Sequence, residues 1–175
     1  SIAKKFGAEV PFLRPKDLST DKSREIDAWK HAVDFYKKKK INFDCLISLP
    51  CTSPLRVKKD VEKCINLYKK GKFDTVITIK DSHRNPFFNM VKRKGIFYNI
   101  ANQSKHYIHN RQQAPELFDV CTVCYISKVN FVKKAKNLFQ GKVGAIKIPK
   151  IRSIDIDTYE DYKIAKFLYE KKIRV

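Results

Sequence analysis

The sequence predicts a single α/β domain over residues 1–175, with a mostly parallel sheet and a protruding β-hairpin insertion at 81–113. Three observations carry this. Short apolar runs, Asp44 to Leu49, Asp74 to Ile79, Val120 to Ser127 and Val143 to Ile148, are separated by stretches of helical period. Strand, helix and strand at these lengths make a βαβ unit, which implies parallel pairing and a right-handed crossover. From Lys80 to Gln113 the pattern changes to two short runs, Phe87 to Val91 and Ile96 to Ile100, joined by Lys92-Arg93-Lys94-Gly95, a hairpin signal.

Taken in order, Ser1 to Phe6 reads as the last turns of a helix closed by Gly7, with a short strand at Val10-Pro11-Phe12-Leu13 that Arg14-Pro15 breaks. A helix that starts by ending, with no initiator Met, leads to the expectation that chain precedes residue 1. Ser19-Thr20-Asp21 offers caps for a helix with an apolar face of Ile26, Trp29, Val33 and Tyr36. Val57, Val61, Ile65 and Tyr68 mark the next helix, which Gly71 stops. Val129 to Phe139 reads as a helix, and another runs through Tyr159, Tyr162, Ile164, Ala165 and Leu168. The hairpin, rich in Phe, Tyr and Met, is expected to pack on a second chain.

No stretch approaches the twenty or so apolar residues of a membrane span, and Ser1-Ile2-Ala3-Lys4-Lys5 does not open an export signal, so a cytoplasmic protein without a membrane partner is expected. Five cysteines, several in apolar segments, read as reduced thiols. The net charge of +20 raises the question of nucleic acid. Of 38 basic residues 30 are Lys and 8 Arg, many of them crowded on helix surfaces and ends, whereas base and phosphate readout favours Arg forks; a solvated basic surface is the preferred reading. Its field would still draw in an anionic substrate.

The string Leu46 to Arg56 is where chemistry is expected. A buried strand delivers a polar loop, Pro50-Cys51-Thr52-Ser53-Pro54-Leu55-Arg56, and ligands of open α/β sheets sit beyond the carboxyl ends of strands. Equally, Thr52 or Ser53 could be an N-cap with Pro54 at the first helical position. Asp155 and Asp157 are two apart; in extended chain both carboxylates point the same way, and Mg²⁺ bridged to phosphates would relieve their repulsion. The alternative is that Asp157 caps the next helix while Asp155 pairs with a lysine. Arg111 and Gln112, with Gln113, suit a carboxylate or phosphate, but an exposed loop arginine is often only a solvated charge, and Arg14, Lys80 and Arg56 share that alternative. Cys121-Thr122-Val123-Cys124 is a lone CxxC whose sulfurs would face opposite sides of a strand. None of the five glycines forms a phosphate-cradling loop.

Together, Gly7-Ala8 leading to Arg14-Pro15 and Asp21, Thr52-Ser53-Pro54-Leu55-Arg56, Arg111-Gln112 with Pro115, Tyr125-Ile126 and Ile154-Asp155-Ile156-Asp157 resemble the acylneuraminate cytidylyltransferase family. Asn85-Pro86-Phe87-Phe88-Asn89-Met90 and Asp119-Val120-Cys121-Thr122-Val123 resemble more closely its legionaminate and pseudaminate branch. The resemblance implies a Rossmann-like nucleotidyltransferase fold, a three-layer sandwich, and a homodimer whose hairpin helps build the partner's site. It implies transfer of a cytidylyl group from CTP to the anomeric hydroxyl of a nine-carbon sugar acid, with release of pyrophosphate. It also implies that Asp155 and Asp157 hold Mg²⁺, that Arg111, Lys80, Gln112 and Arg14 meet substrate, and that Thr52, Ser53 and Arg56 shape the pocket. Two departures stand out. Nothing here corresponds to the family's opening strand and its Gly-, Lys- and Arg-containing CTP loop, so the chain is expected to be N-terminally truncated and, alone, nearly inactive. Pro50 stands where Gln is common, and Cys121-Thr122 where Asn-Gly is common. The alternatives are a Kdo-type cytidylyltransferase and a non-catalytic basic binding module or enzyme remnant.

Overall fold

Among the residues that the computed structural model describes, 2–104, 106 and 108–173, the chain forms six strands and five α-helices. The strands are β1 (Cys45–Ser48), β2 (Thr75–Asp81), β3 (Val91–Lys94), β4 (Phe97–Ile100), β5 (Phe118–Lys128) and β6 (Val143–Lys147). The helices are α1 (Ile2–Lys5), α2 (Glu25–Lys38), α3 (Lys58–Lys69), α4 (Val129–Lys134) and α5 (Tyr159–Glu170). Ser1 of the expected opening helix, and Lys105 and Tyr107 of the 81–113 insertion, lie outside the described residues.

The main sheet has the order β1-β5-β2-β6 and is mixed, which corrects the expectation of a mostly parallel one. β2 and β6 are parallel, whereas β5 runs antiparallel to both β1 and β2. So β1, β2 and β6 point the same way, but β5 lies between the two strands of the expected βαβ unit. The cause is the insertion: it leaves the sheet at Asp81 and returns at Phe118, which are partners in register. A chain that leaves and re-enters a sheet at one end comes back antiparallel, as in a hairpin with a long loop.

Two apolar clusters flank the sheet and make three layers. On one face Ile26, Trp29 and Val33 of α2 and Val129 and Val132 of α4 pack on Ile77 and Tyr125, with the Trp29 and Tyr125 rings 5.6 Å apart. On the other, Cys64 of α3 meets Val76, Cys124 and Ile126, with Val61, Ile65 and Tyr68 packed around them. Each such buried side chain contributes about 1.5–3 kcal/mol, which is why the 3.6-residue spacing of α2 and α3 sets their orientation.

Several local expectations need correction. Val10 to Leu13 is not a strand: Pro11 lacks a donor, Leu13 is exposed, and the segment is anchored by Phe12, whose ring meets those of His31 and Phe35 at 4.8 and 4.7 Å. The helix expected to reach Phe139 ends at Lys134, because Ala135 turns extended and is buried, and the Asn137 side chain accepts from the Phe139 N–H in a new 3-10 turn. Helix α3 begins at Lys58 after Val57, so neither Thr52 nor Ser53 is its N-cap. The hairpin turns at Gly95-Ile96, with Gly95 at φ 64°, and Lys92 to Lys94 belong to β3. Finally, Cys121 and Cys124 lie in the same apolar cluster. Between Val76↔Ile126 and Thr78↔Cys121 the register slips, so β5 bulges over residues 122–125 and alternation fails there. No described helix is long and apolar enough to cross a membrane.

Candidate active site

Because β1, β2 and β6 are co-directional, their carboxyl ends share one edge of the sheet, and the expected site segments leave from it. The 50–56 loop follows β1, Lys80 and Asp81 end β2, and the 154–157 segment follows β6 through a 3-10 turn at Lys150–Ser153. The antiparallel β5 begins at this edge, so its bulge lies beneath the loop.

The bulge is plugged by Thr78. Its buried hydroxyl accepts from the Cys124 N–H at 3.1 Å and donates to the Cys121 carbonyl at 2.7 Å, with the Cys124 carbonyl at 3.2 Å. This satisfies backbone groups that the slipped ladder leaves free. It also turns Thr122 toward the loop: Thr122 Oγ1 and the fully buried Ser53 Oγ share a hydrogen bond of 2.6 Å. Arg56 donates to the Thr122 carbonyl at 3.3 Å and to the Pro50 carbonyl, so its guanidinium braces the loop against the bulge. Burial pulls the Arg56 pKa below its ordinary value, and its buried Nε has no partner among the described residues.

The acidic segment is tied to the same loop, the Ile156 N–H donating to the Thr52 carbonyl at 2.9 Å. Asp155 is half-buried and its Oδ1 is a buried acceptor with no hydrogen-bond partner among the described residues, whereas Asp157 is exposed at the foot of α5. Neither carboxylate takes the alternative part foreseen for it. The N-cap of α5 is Thr158, which accepts from the Asp161 N–H while Asp161 accepts from Thr158 in return, and among the described residues Asp155 has no ion pair. No group of three or more His, Cys, Asp and Glu side chains among the described residues could hold a metal. The orphaned Oδ1 nevertheless fits a cation, since a buried carboxylate oxygen without a donor is costly unless something positive faces it.

Other expected residues lie further along the same edge. Burial raises the Cys121 thiol and hydrogen bonds from Thr158 lower the Asp161 carboxyl, and the charge of half-buried Lys80 is a lesser downward pull on both. Arg111 and Gln112 sit at the root of the insertion, where they line a cavity of about 300 Å³ with Asp81 to Asn85 and Ala114 to Leu117. There Arg111 donates to the His83 carbonyl at 2.9 Å. Arg14 is exposed and acts electrostatically on Glu25. The structure thus ties Ser53 and Arg56 to Thr122, and Thr52 to the segment that carries Asp155 through the Ile156 N–H, and leaves Arg111 and Gln112 in a separate hollow.

Sequence reasoning missed four of the residues that build this edge. Glu25, in the first turn of α2, accepts from Ser48 Oγ at 3.2 Å, and burial raises its carboxyl, with the nearby Asp155 charge adding to the rise. Thr122 was hidden inside a cysteine motif. Asp60 and Arg152 form a two-pronged ion pair at 2.9 and 3.0 Å, with the Asp60 side chain fully buried and that of Arg152 11% exposed. Removing either partner alone would strand a buried charge, at a cost of about 3–5 kcal/mol. A polar residue three positions into α3 was a legible helix-start signal; its partner 92 residues on was not.

No family model matches the chain. It is 29% identical over 175 residues to the post-translational flagellin modification protein B of Campylobacter coli, covering 98% of this chain and 72% of that protein. It is 28% identical over 173 residues to the CMP-N,N'-diacetyllegionaminic acid synthase of Campylobacter jejuni, covering 98% of this chain and 73% of that one. Among solved structures, the 4-diphosphocytidyl-2C-methyl-D-erythritol synthase of Anaerococcus prevotii superposes with a TM-score of 0.52 at 15% identity, over 78% of this chain and 64% of that one. That likeness shows a shared α/β nucleotidyltransferase-like fold.

Proposed function

From a chain that is a distant homologue, over nearly its whole length, of the cytidylyltransferases of legionaminic, pseudaminic and N-acylneuraminic acids, we propose a specific reaction. The protein transfers a cytidylyl group from CTP to the anomeric hydroxyl of a nine-carbon sugar acid of the legionaminic, pseudaminic or sialic type, and pyrophosphate leaves. The observation that carries this is the bonding of the 50–56 loop and the 154–157 segment to each other at the carboxyl edge of the sheet, with Asp155 Oδ1 buried and unpartnered among the described residues.

Phosphoryl chemistry of this kind asks for positioning and charge neutralisation more than for covalent help. Asp155 and Asp157 would hold Mg²⁺, which when bound neutralises charge developing on the phosphate oxygens. Thr52, with Ser53 and Arg56 fixed behind it, shapes the floor on which the nucleotide lies. Lys80 adds positive charge beside that floor, and Arg111 and Gln112 suit the carboxylate of the sugar acid in the hollow they line. Arg14 lies at the outer rim. The +20 charge draws both anionic substrates toward the protein.

The test is pyrophosphate release from CTP and Mg²⁺ with legionaminate, pseudaminate, N-acetylneuraminate and Kdo in turn, together with thermal protection by the matching CMP-acid. Release or protection with one nine-carbon acid, lost in Asp155→Asn, is the expected result. A response to Kdo alone would replace the sugar assignment. No release and no protection with any acid, alongside tight salt-steep binding to random oligonucleotides, would refute the enzyme in favour of a basic binding module.

A further inference from the structure

We propose that the buried Asp60–Arg152 ion pair is a positioning clamp that holds Asp155 against the 50–56 loop, a role that rests on the cytidylyl-transfer reading. The pair joins the two segments that make the site. Asp60 lies in the first turn of α3, four residues after Arg56 ends the loop, and it also accepts from the Val57 N–H at 3.2 Å. Arg152 lies three residues before Asp155, in a 3-10 turn that the buried Ser153 hydroxyl closes by donating to the Lys150 carbonyl at 2.9 Å.

The geometry suits positioning. A planar guanidinium that meets both carboxylate oxygens fixes orientation as well as distance, and here both bonds lie at 3.0 Å or less with Asp60 fully enclosed. One residue beyond Asp155, the Ile156 N–H is bonded to the Thr52 carbonyl at 2.9 Å. Asp155 is therefore tied on both sides, before it by Arg152 to Asp60 and after it by Ile156 to Thr52. Its orphaned Oδ1 is held at a set place relative to the loop. A buried ion pair adds little net stability over well-packed apolar side chains of the same volume, so what this pair contributes is register between two loops that share no strand ladder.

The experiment replaces the pair by an apolar one, Asp60→Leu with Arg152→Met, which leaves no buried charge unpaired. Amide hydrogen exchange and pyrophosphate release are then measured on the same protein. The Ile156 amide is expected to lose protection by about tenfold or more while β5 amides keep theirs, a local opening without global unfolding. The turnover number is expected to fall by about a hundredfold, with KM for CTP changed far less, since an ångström of misplacement costs about that much. Arg152→Lys, which keeps the charge and loses the fork, should fall between, and it serves as the reading if the double variant does not fold. Unchanged Ile156 protection in a folded variant overturns the clamp. Lost protection with unchanged turnover overturns its part in catalysis. If the wild-type chain neither releases pyrophosphate with any acid nor is protected by any CMP-acid, the cytidylyl-transfer reading falls, while Ile156 exchange still decides whether the pair sets the segment.

Discussion

Thr78→Val exchanges a hydroxyl for a methyl of nearly equal volume, so cavity and transfer contributions almost cancel and what remains is hydrogen bonding. The Thr78 side chain is fully buried and its oxygen serves the Cys124 N–H at 3.1 Å and the Cys121 carbonyl at 2.7 Å. With valine there, a donor and an acceptor are left inside the core, each costing about 1–3 kcal/mol. A loss of about 2–4 kcal/mol is expected, a large part of the 5–15 kcal/mol that typical domains possess. At this chain length that lowers the melting temperature by roughly 5–15 °C. The assay is urea unfolding followed by circular dichroism, with the denaturant slope checked to be unchanged. Thr75→Val is the companion. Its hydroxyl bonds Ser127 Oγ at 2.7 Å and the Ile126 carbonyl at 3.1 Å but serves no N–H, so its loss should be smaller, about 1–2 kcal/mol. A Thr78→Val protein within about 0.5 kcal/mol of wild type would refute the reasoning, because the bulge would then satisfy its backbone without the plug.

The remaining expectations concern pH and assembly. Burial raises the Glu25 carboxyl against the opposing hydrogen bonds of Ser48 and Trp29, so its protonated form is favoured in the fold; that stability is full below the ordinary glutamate value of 4.5 and is lost as pH rises through the higher folded value. Glu25→Gln should therefore be slightly more heat-stable than wild type at pH 7, only slightly because Glu25 stays partly open to water, and the gain should vanish below pH 4.5; an equal gain at all pH values would contradict this. The hairpin exposes Ile96 at 81%, Phe97 at 68% and Tyr98 at 65%, and a two-stranded ribbon alone is marginal in water. Light scattering should give twice the chain mass, and Phe97→Ser with Tyr98→Ser should give the monomer; a wild-type monomer at tens of micromolar would count against the dimer.

How far the sequence could be read follows from the range of each interaction. Helices α2 and α3 were legible because Trp29, Val33, Val61 and Ile65 repeat with the helical period, a signal contained within each segment. The four strands of the main sheet were located to within two residues, but their order was not, Val10 to Leu13 forms no strand, and β3 lies three to four residues beyond the Phe87 to Val91 run. Nothing in Val120 to Ser127 says that it enters between two other strands, since that depends on where a 36-residue excursion returns. The site shows the same division. The Thr52-Ser53-Pro54 string and the Asp155 segment announced themselves locally, and the structure bonds them together. Arg56 was expected to shape the pocket, but that its Nη2 braces the loop on the Pro50 and Thr122 carbonyls was not legible, because Thr78, which bonds the bulge that presents the Thr122 carbonyl, is far from both in sequence. The pairing of Asp60 with Arg152 had no local sign, since the two lie 92 residues apart.

The position of β5 also governs when the domain can form. Val76, Ile77 and Leu46 belong to strands that touch only through β5, whose last residue, Lys128, pairs with Cys45. As a nascent polypeptide leaves the ribosome, the first two strands emerge and must wait for some fifty further residues, an exposed hairpin among them, before either finds its neighbour. Contacts so distant along the chain are slow to close, and the waiting strands present open edges. Lysines crowd the ends of α2 and α3, Lys37 to Lys40 with Lys69 and Lys70, just before each of those strands, and like charge there opposes the association of half-made chains.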